Sequence, residues 1–557
     1  MERFCHWTER CNRTFPLVMS GMICYTLALP RFDLYFFAWL APFFWTPVIG
    51  REKLAGNFPY RKIYLAAVLF WLTAVHWICC IGWPAYFGWI AMSFYLAFFM
   101  LFFFAAARSL VHRWKWPVVT AMPVAWVAGE GLQRHLLGGF SFAAIEHTQF
   151  RFPLLIQFAD LIGEYGVGAF IIFIGAVLGR NLPVTPDKER KLFHFKKCLS
   201  SVLICAVSFS VVLGYGYYRV MPSSLRLNKN RKPYQIALLQ GTDVAMLDPP
   251  DGWHEKVYEN YLNLVRRAVK ENPDLDLMIW PESTSLYPWS EFLPPGQTRQ
   301  TQEIYERFAE ANDFVKRVAR YFDTAMLYGT GSYVERSGED DLLTYNSALL
   351  IERHGKPLAR YDKMQLVIFG EYLPFADWLP DGFFLKTLCQ RADRGQEPRN
   401  FPLPNRSGET AFNASVNICF ESSIPQLIRE QVLTLRRQGH EPDLLINISY
   451  DGWFHHSSQI DMHLATHVFR AIENRKPYLS AANAGFSAFI DSNGNIIRCG
   501  PRKVPSVVPV ELSDVRKESR IPPYHYLKDW ISGTCVLLSL LALVWGIALR
   551  LIRLLIK

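Results

Sequence analysis

The sequence predicts two kinds of structure in one chain: a polytopic helical membrane domain with eight spans, and an α/β layered domain. Three observations support this prediction. Eight apolar runs approach or exceed the roughly 20 residues that a helix needs to cross a bilayer. The short loops between these runs alternate between basic and nearly uncharged. The long polar stretch before the last run shows strand-like and helix-like patterns in alternation.

The apolar runs account for a composition that fits neither a soluble nor a purely membrane protein. The chain is 51% hydrophobic, yet 19% of its residues are charged. No small-residue cleavage site follows the first run, which favours an uncleaved helix over a signal peptide. Glu130 and Glu164 lie within runs, and we expect them to face protein or the interface because a charge in lipid is costly. The runs lie near 15–29, 32–50, 61–81, 85–107, 116–137, 154–179, 198–218 and 530–549.

Loop charges predict the orientation. Basic residues precede the first run and follow each even-numbered run, whereas the intervening short loops are nearly bare. The positive-inside rule therefore places both termini in the cytoplasm and the polar stretch on the opposite side. Much of the basic excess behind the net charge of +10 lies in these short loops, where it orients a membrane protein, so we expect no nucleic-acid partner. The basic residues are Arg3, Arg10, Arg13, Arg51, Lys53, Arg61, Lys62, Arg108, Arg113, Lys115, Arg180, Lys188, Arg190, Lys191, Lys196, Lys197, Arg550, Arg553 and Lys557.

The polar stretch predicts an α/β layered domain, because strands interleave with helices. Short apolar or alternating segments predict strands, and apolar residues at helical spacing predict helices. Predicted strands cover 235–240, 275–280, 325–334, 345–352, 357–361, 414–419 and 444–449, and predicted helices cover 253–272, 302–322, 460–473 and a segment from 424. The predicted domains are 1–219 (seven spans), 220–510 (α/β) and 511–557 (a linker and the last span).

Three residues of this domain suggest acyl-transfer chemistry: Glu282, Lys363 and Cys419, each at or just beyond a predicted strand end. A cysteine attacks as thiolate, and its ordinary pKa of about 8.5 leaves little thiolate at neutral pH. Glu282 is the candidate base, and Lys363 the candidate stabiliser of an oxyanion, aided by a backbone N–H next to Cys419. Taken singly, each is typical of a packing cysteine, a loop glutamate or a solvated lysine; their joint order favours a site.

Two histidines, His463 and His467, are four apart on a predicted helix, a spacing that zinc sites also use. The segment between them lacks the glutamate of the metalloprotease motif. We therefore predict no metal and no cofactor.

Four short motifs contain or adjoin the acyl-transfer candidates: Trp280-Pro281-Glu282, Tyr361-Asp362-Lys363, Phe369-Gly370-Glu371-Tyr372-Leu373-Pro374 and Asn417-Ile418-Cys419-Phe420-Glu421. Together they resemble the carbon–nitrogen hydrolase (nitrilase) superfamily. With the eight-span frame, the chain resembles the apolipoprotein N-acyltransferase family within it. The stretches 447–454 and 470–477 are also similar to that family.

The resemblance implies an αββα sandwich with Glu282 as general base, Lys363 as oxyanion stabiliser and Cys419 as nucleophile. It further implies that Glu371 and Glu421 support the site and that Trp453 lies near it. Two departures concern the substrate pocket: His455 stands where glycine is expected, and 480–485 is less polar than usual.

The implied reaction is a ping-pong transfer through a cysteine thioester. A phospholipid donates a fatty acyl chain, and the N-terminal amine of a diacylglyceryl-cysteine lipoprotein accepts it. The implied setting is a monomer in the bacterial inner membrane, with the catalytic domain in the periplasm. Two alternatives remain: a membrane-tethered nitrilase-type amidase acting on an extracytoplasmic amide, and a non-catalytic membrane scaffold. The membrane frame favours lipid substrates, and the intact Glu282, Lys363 and Cys419 argue against a scaffold.

Overall fold

A computed structural model provides the structure. It describes residues 14–182, 195–221, 233–246, 248–285, 288–291, 299–335, 342–373, 378, 380, 389, 392–512 and 521–555. The basic segments 1–13 and 183–194, used above to predict orientation, lie outside the described residues. The chain divides into two compact units: Met1–Ser223 with Pro522–Lys557, which we call the helical unit, and Ser224–Ile521, which we call the sheet unit.

The α-helices among the described residues are numbered in chain order. They are α1 (Thr14–Ala28), α2 (Phe37–Gly50), α3 (Pro59–Ala74), α4 (Ala85–His112), α5 (Val118–His135), α6 (Pro153–Ile156), α7 (Ala159–Ile162), α8 (Glu164–Gly179), α9 (Phe195–Val220), α10 (Trp253–Glu271), α11 (Arg299–Phe322), α12 (Pro425–Arg437), α13 (Gln459–Asn474), α14 (Pro523–Leu527) and α15 (Trp530–Leu555).

The helical unit contains several apolar helices, but they do not confirm eight spans. In the described part of the chain, three helical segments are long and apolar enough to cross a membrane: Ala85–His112, Cys198–Val220 and Trp530–Leu549. The bent pair Pro153–Ile162 and Glu164–Gly179 would provide a fourth if it forms one broken span. Helices α1 and α2 are apolar but shorter.

The apolar run over 154–179 does not form one continuous helix, because it breaks at Gly163. The segments before and after it are bent by 118°. Gly163 has φ +75°, and a Cβ there would lie 2.7 Å from the ring of Tyr524. Glycine meets both conditions at little cost. Glu164, which follows the break, is fully buried.

Glu130 and Glu164 lie among buried carboxylates of the helical unit that surround one arginine. Arg134 forms ion pairs with Glu146 and Glu164, the latter at 2.7 Å, and lies 3.8 Å from Glu130. Its guanidinium also stacks on the ring of Tyr165. Such charges persist in an apolar interior only when a partner offsets the desolvation cost. The prediction that both glutamates face protein is confirmed.

The sheet unit is built from two mixed sheets. Its strands are β1 (Tyr234–Gln240), β2 (Leu277–Ile279), β3 (Trp289–Glu291), β4 (Ala325–Glu335), β5 (Leu342–Ile351), β6 (Pro357–Asp362), β7 (Asn400–Pro404), β8 (Thr410–Ile418), β9 (Leu444–Tyr450), β10 (Tyr478–Asn483), β11 (Ala488–Ile490), β12 (Ile496–Cys499) and β13 (Ser506–Leu512). The first sheet has the order β13-β1-β2-β4-β5-β6, with β3 paired to β4, and the second has the order β12-β11-β10-β9-β8-β7. Strands β1, β2 and β4 are parallel, as are β8, β9 and β10.

The two sheets share one apolar core. Ile236 of β1 and Ile446 of β9 belong to the same buried cluster. Ala237, next to Ile236, belongs instead to a second cluster with Tyr261 of α10 and Val315 of α11. Because successive side chains of a strand point to opposite faces, the first sheet is covered by the second sheet on one face and by helices on the other. Helices α12 and α13 contact β8 and β10 of the second sheet.

Candidate active site

Strand ends bring the candidate residues together. Glu282 follows β2, Lys363 comes directly after β6, and Cys419 comes directly after β8. Strand β9, parallel to β8, ends at Tyr450, whose backbone N–H donates to Glu282 Oε2 at 2.8 Å. The carboxyl ends of parallel strands are the usual place for a ligand site in α/β sheets.

Lys363 lies between two carboxylates. Its Nζ is 2.8 Å from Glu371 Oε1 and 3.3 Å from Glu282 Oε1. The lysine is 1% exposed, so water does not compensate its charge. Asn346 Nδ2 donates to the same two carboxylates, at 2.7 Å to Glu282 and 3.0 Å to Glu371. The structure thus brings together Glu282, Lys363 and Glu371, with Asn346 as a residue that the sequence did not single out.

The ionisation of these groups follows from their contacts. Burial opposes the charge of Lys363, but Glu282 and Glu371 outweigh it and raise the pKa of the lysine well above its usual value. Burial also opposes the charge of Glu371, yet Lys363 lowers the pKa of that carboxyl below its usual value. Lys363 is therefore a permanent cation here, and Glu371 a permanent anion, near neutral pH.

Gly329 of β4 leaves room for the loop that carries Glu282. A Cβ at this position would lie 2.4 Å from the Cα of Glu282 and 2.8 Å from the carbonyl oxygen of Pro281. Both neighbours are backbone atoms and cannot move aside. A side chain at 329 would therefore displace Glu282 from Lys363.

Cys419 occupies a sharp turn between strand and helix. It has φ +53° and begins the 3-10 turn Cys419–Ser423. A non-glycine residue in this region is strained, and such residues cluster at functional sites. Burial and the charge of Glu282 raise the pKa of the thiol well above its usual value, while Lys363 acts in the opposite direction. The resting form is therefore the thiol, and attack requires a base.

Glu421 connects the cysteine turn to the lysine segment. Its Oε2 accepts a hydrogen bond from the Ile418 N–H at 2.7 Å, and its Oε1 accepts bonds from the N–H groups of Met364 and Gln365 at 2.7 and 2.9 Å. Tyr361 OH is 2.9 Å from both oxygens. Burial raises the pKa of Glu421 to about 7, although the backbone donors lower it. This carboxyl holds the residues next to Lys363 and Cys419 in register with each other.

Trp453 lies half-buried in the 3-10 turn Asp451–Phe454, directly after β9. It follows Tyr450, the residue that donates to Glu282, by three positions in the chain. Its place near the active site and its role stay predictions. His455 has φ +46°, a conformation that favours glycine, which accounts for the expected glycine there.

His463 and His467, considered above as a zinc pair, take part in a hydrogen-bond network instead. His463 Nε2 lies 2.8 Å from Ser422 Oγ and 3.2 Å from the carbonyl oxygen of Cys419, and its Nδ1 lies 3.0 Å from Asp451 Oδ1. His467 Nε2 lies 3.2 Å from Ser422 Oγ. The sequence offered only weak signals for this network, because its members come from three separate elements.

Comparisons with known proteins give two family matches for this chain. The carbon–nitrogen hydrolase family matches residues 236–517, and the apolipoprotein N-acyltransferase N-terminal domain matches residues 20–177. The apolipoprotein N-acyltransferase of Geobacter metallireducens is 30% identical over 535 residues, which cover 94% of each chain. The chain belongs to the apolipoprotein N-acyltransferase family. Apolipoprotein N-acyltransferase 1 of Treponema denticola is 26% identical over 96% of this chain and 97% of its own.

Among solved structures, an amidase from Nesterenkonia sp. is similar with a TM-score of 0.34 and 17% identity, covering 51% of this chain and 94% of the amidase. The nitrilase-like fold of this family member rests on the carbon–nitrogen hydrolase match and on its two mixed sheets.

Proposed function

We propose that this chain transfers a fatty acyl chain from a phospholipid to the N-terminal amine of a diacylglyceryl-cysteine lipoprotein, through a thioester on Cys419. The observation that carries the proposal is the Glu282–Lys363–Glu371 group, in which Lys363 is buried between two carboxylates and the charges of Glu282 and Lys363 act on the Cys419 thiol. Membership of the apolipoprotein N-acyltransferase family supports the substrate class. The apolar helices of the other unit are consistent with lipid substrates.

In the first half-reaction, Glu282 takes the proton of the Cys419 thiol as sulfur attacks the ester carbonyl of the phospholipid. Negative charge develops on the carbonyl oxygen, and Lys363, already cationic, stabilises it without reorganisation. The intermediate collapses by breaking the ester C–O bond. The departing oxygen takes the proton from Glu282, leaving a lysophospholipid and an acyl thioester.

In the second half-reaction, the neutral N-terminal amine of the lipoprotein attacks the thioester carbonyl. Glu282 accepts a proton from the amine, and Lys363 again stabilises the oxyanion. The C–S bond breaks, the amide forms, and the proton returns to the sulfur. Splitting one transfer into two steps is what a covalent nucleophile contributes.

The supporting residues act by position. Glu371 fixes Lys363, and Glu421 fixes the two backbone segments that carry Lys363 and Cys419. Trp453 is assigned to the substrate side of the site on the resemblance alone. The proposal places these residues in a catalytic domain over 220–510 with an αββα arrangement.

The membrane frame is part of the proposal. It comprises seven spans within 1–219 and an eighth within 511–557, in a bacterial inner membrane. Both termini then lie in the cytoplasm and the catalytic domain in the periplasm, in agreement with the loop charges. We propose a monomer, since one chain supplies every residue of the site described above.

The decisive experiment detects the thioester. The purified chain is incubated with phospholipid, and the peptide that contains Cys419 is examined by mass spectrometry. We expect a fatty-acyl adduct that disappears when a diacylated lipopeptide is added, with N-acylated lipopeptide as the product. Cys419→Ser should form no thioester, whereas Cys499→Ser, which alters an exposed cysteine on β12, should behave as the unchanged chain.

Two outcomes would refute the proposal. Lipopeptide acylation that survives Cys419→Ser would exclude Cys419 as the acyl carrier. An adduct that water removes as fast as the lipopeptide would favour the amidase alternative.

A further inference from the structure

The carbonyl oxygen of Cys419 is held by three side chains. Asn447 Nδ2 donates to it at 3.2 Å, Ser422 Oγ lies at 3.1 Å and His463 Nε2 at 3.2 Å. A backbone carbonyl oxygen has two lone pairs, so three side-chain partners crowd this one acceptor. The cluster lies at the residue whose backbone has φ +53°.

His463 links Asp451 to the carbonyl of Cys419. Its Nδ1 lies 3.0 and 3.3 Å from the two carboxylate oxygens of Asp451. Its Nε2 lies 3.2 Å from the Cys419 carbonyl oxygen, which only accepts hydrogen bonds, so this contact holds the carbonyl when Nε2 carries the proton. Both residues are buried, 1% exposed for His463 and 2% for Asp451.

Asp451 is itself fixed in place. Ser449 Oγ donates to its Oδ1 at 2.9 Å. A Cβ at Gly485 would lie 2.1 Å from its Oδ2, so the backbone there closes over the carboxylate. The chain of contacts runs from Ser449 through Asp451 and His463 to the carbonyl of Cys419.

Holding this carbonyl fixes the peptide that follows the nucleophile. The peptide group is planar and trans, so its N–H points away from its C=O. With the oxygen of Cys419 held toward His463, the N–H of Phe420 points to the opposite side of the same plane. A backbone N–H adjacent to a nucleophile is well placed to donate to the oxyanion of a tetrahedral intermediate.

We propose that Asp451 and His463 form a positioning pair that aims the Phe420 N–H at the oxyanion of acyl transfer. The inference rests on the proposed function, because it assigns the pair to the same thioester chemistry. Neither residue touches the reacting atoms; the pair acts through the Cys419–Phe420 peptide. Alkylation of the thiol forms no oxyanion, so it does not need this peptide to be held.

The test compares acylation with alkylation of Cys419 in the full chain. Acylation is measured as the single-turnover release of p-nitrophenolate from p-nitrophenyl butyrate, and alkylation as the rate of modification by iodoacetamide. His463→Ala should lower acylation by about 10²–10³-fold, the usual loss for one oxyanion donor, with little change in alkylation. His463→Gln should recover part of the loss, because its amide can donate to the same carbonyl.

Two further variants provide an independent check and a control. Asp451→Asn preserves the side-chain volume under Gly485 and should slow acylation in the same way, even if His463→Ala folds poorly. The Asp451 charge raises the pKa of the Cys419 thiol, so for this variant both rates are compared per thiolate, with the thiolate fraction taken from the pH dependence of alkylation. Thr466→Val is the matched control. Thr466 is buried on the same helix, and its hydroxyl donates to the backbone carbonyl of His463 at 2.7 Å, so both rates should persist.

Two results would overturn the positioning pair. In one, His463→Ala and Asp451→Asn lose acylation and alkylation in parallel; in the other, neither variant loses acylation. Phospholipid as donor separates this inference from the proposed function. If the unchanged chain reacts with the p-nitrophenyl ester but never with phospholipid, the phospholipid donor of the proposed function is wrong. The difference between acylation and alkylation rates in the variants then still decides whether the positioning pair is right. If the unchanged chain reacts with neither ester, both proposals fall.

Discussion

Replacing Lys363 by methionine would leave two buried carboxylates without their cation. At an effective dielectric constant of about 20, the contact at 2.8 Å with Glu371 and that at 3.3 Å with Glu282 are each worth about 5–6 kcal/mol of Coulomb energy. Desolvation of the lysine and repulsion between the carboxylates offset much of this. Breaking a buried pair by removing one partner costs about 3–5 kcal/mol net. We expect Lys363→Met to lose that much stability.

The same variant should reverse the pH dependence of that stability. In the unchanged chain the pKa of Glu371 is lowered, so its contribution is present near neutral pH and is lost as the pH falls through that pKa. Without Lys363, burial, the largest influence on this carboxyl, raises its pKa against the hydrogen bonds from the Val367 N–H and Asn346. The folded variant then binds more protons than the unfolded chain, and its stability rises on acidification from neutral pH.

Thermal unfolding in detergent, followed by tryptophan fluorescence, measures both effects. A loss of 3–5 kcal/mol lowers the midpoint by about 6–20 °C at the usual 2–4 °C per kcal/mol. The matched control is Lys476→Met, whose partner Glu441, at 3.0 Å, is about one-third exposed and can be rehydrated. We expect at most about 1 kcal/mol for the control. A Lys363→Met chain that unfolds like the unchanged one at neutral and acidic pH would refute the reasoning.

Three further predictions concern other contacts. Glu282→Gln should lower the pKa of the Cys419 thiol, because it removes a negative charge that raises this pKa. It should nevertheless slow acyl transfer by about 10²–10⁴-fold, because the general base is lost. The pH dependence of alkylation measures the thiol pKa and single-turnover acylation measures the rate; a higher thiol pKa would contradict the prediction. Tyr361→Phe removes a donor to both oxygens of Glu421 and should cost about 1.5–3 kcal/mol in thermal or denaturant unfolding; an unchanged midpoint would show that the contact contributes nothing. Arg134→Gln leaves buried carboxylates unpaired and should destabilise the chain by about 3–5 kcal/mol or prevent its recovery in folded form; recovery at full stability would count against the ion-pair account.

Short apolar or alternating segments located most central strands and the edge strand β6, but not the other edges of the two sheets. Strand β9 is apolar throughout its core-facing positions and was predicted from those residues. Strand β7 was missed because Pro402 and Pro404 argue against a strand. It forms the edge of the second sheet, where a missing N–H is tolerated. Strands β10 to β13 were also missed, because their pairing with strands distant in sequence decides them.

The sequence by itself determined the alternation of strands and helices, the apolar runs and the short motifs around Glu282, Lys363 and Cys419, because these depend on near neighbours in the chain. The tertiary structure alone decided the break at Gly163, where φ and the approach of Tyr524 interrupt an apolar run. It also decided the surroundings of Lys363 and Cys419. Contacts such as that of Tyr450 with Glu282 join residues 168 positions apart, and no local pattern encodes a distance of that kind.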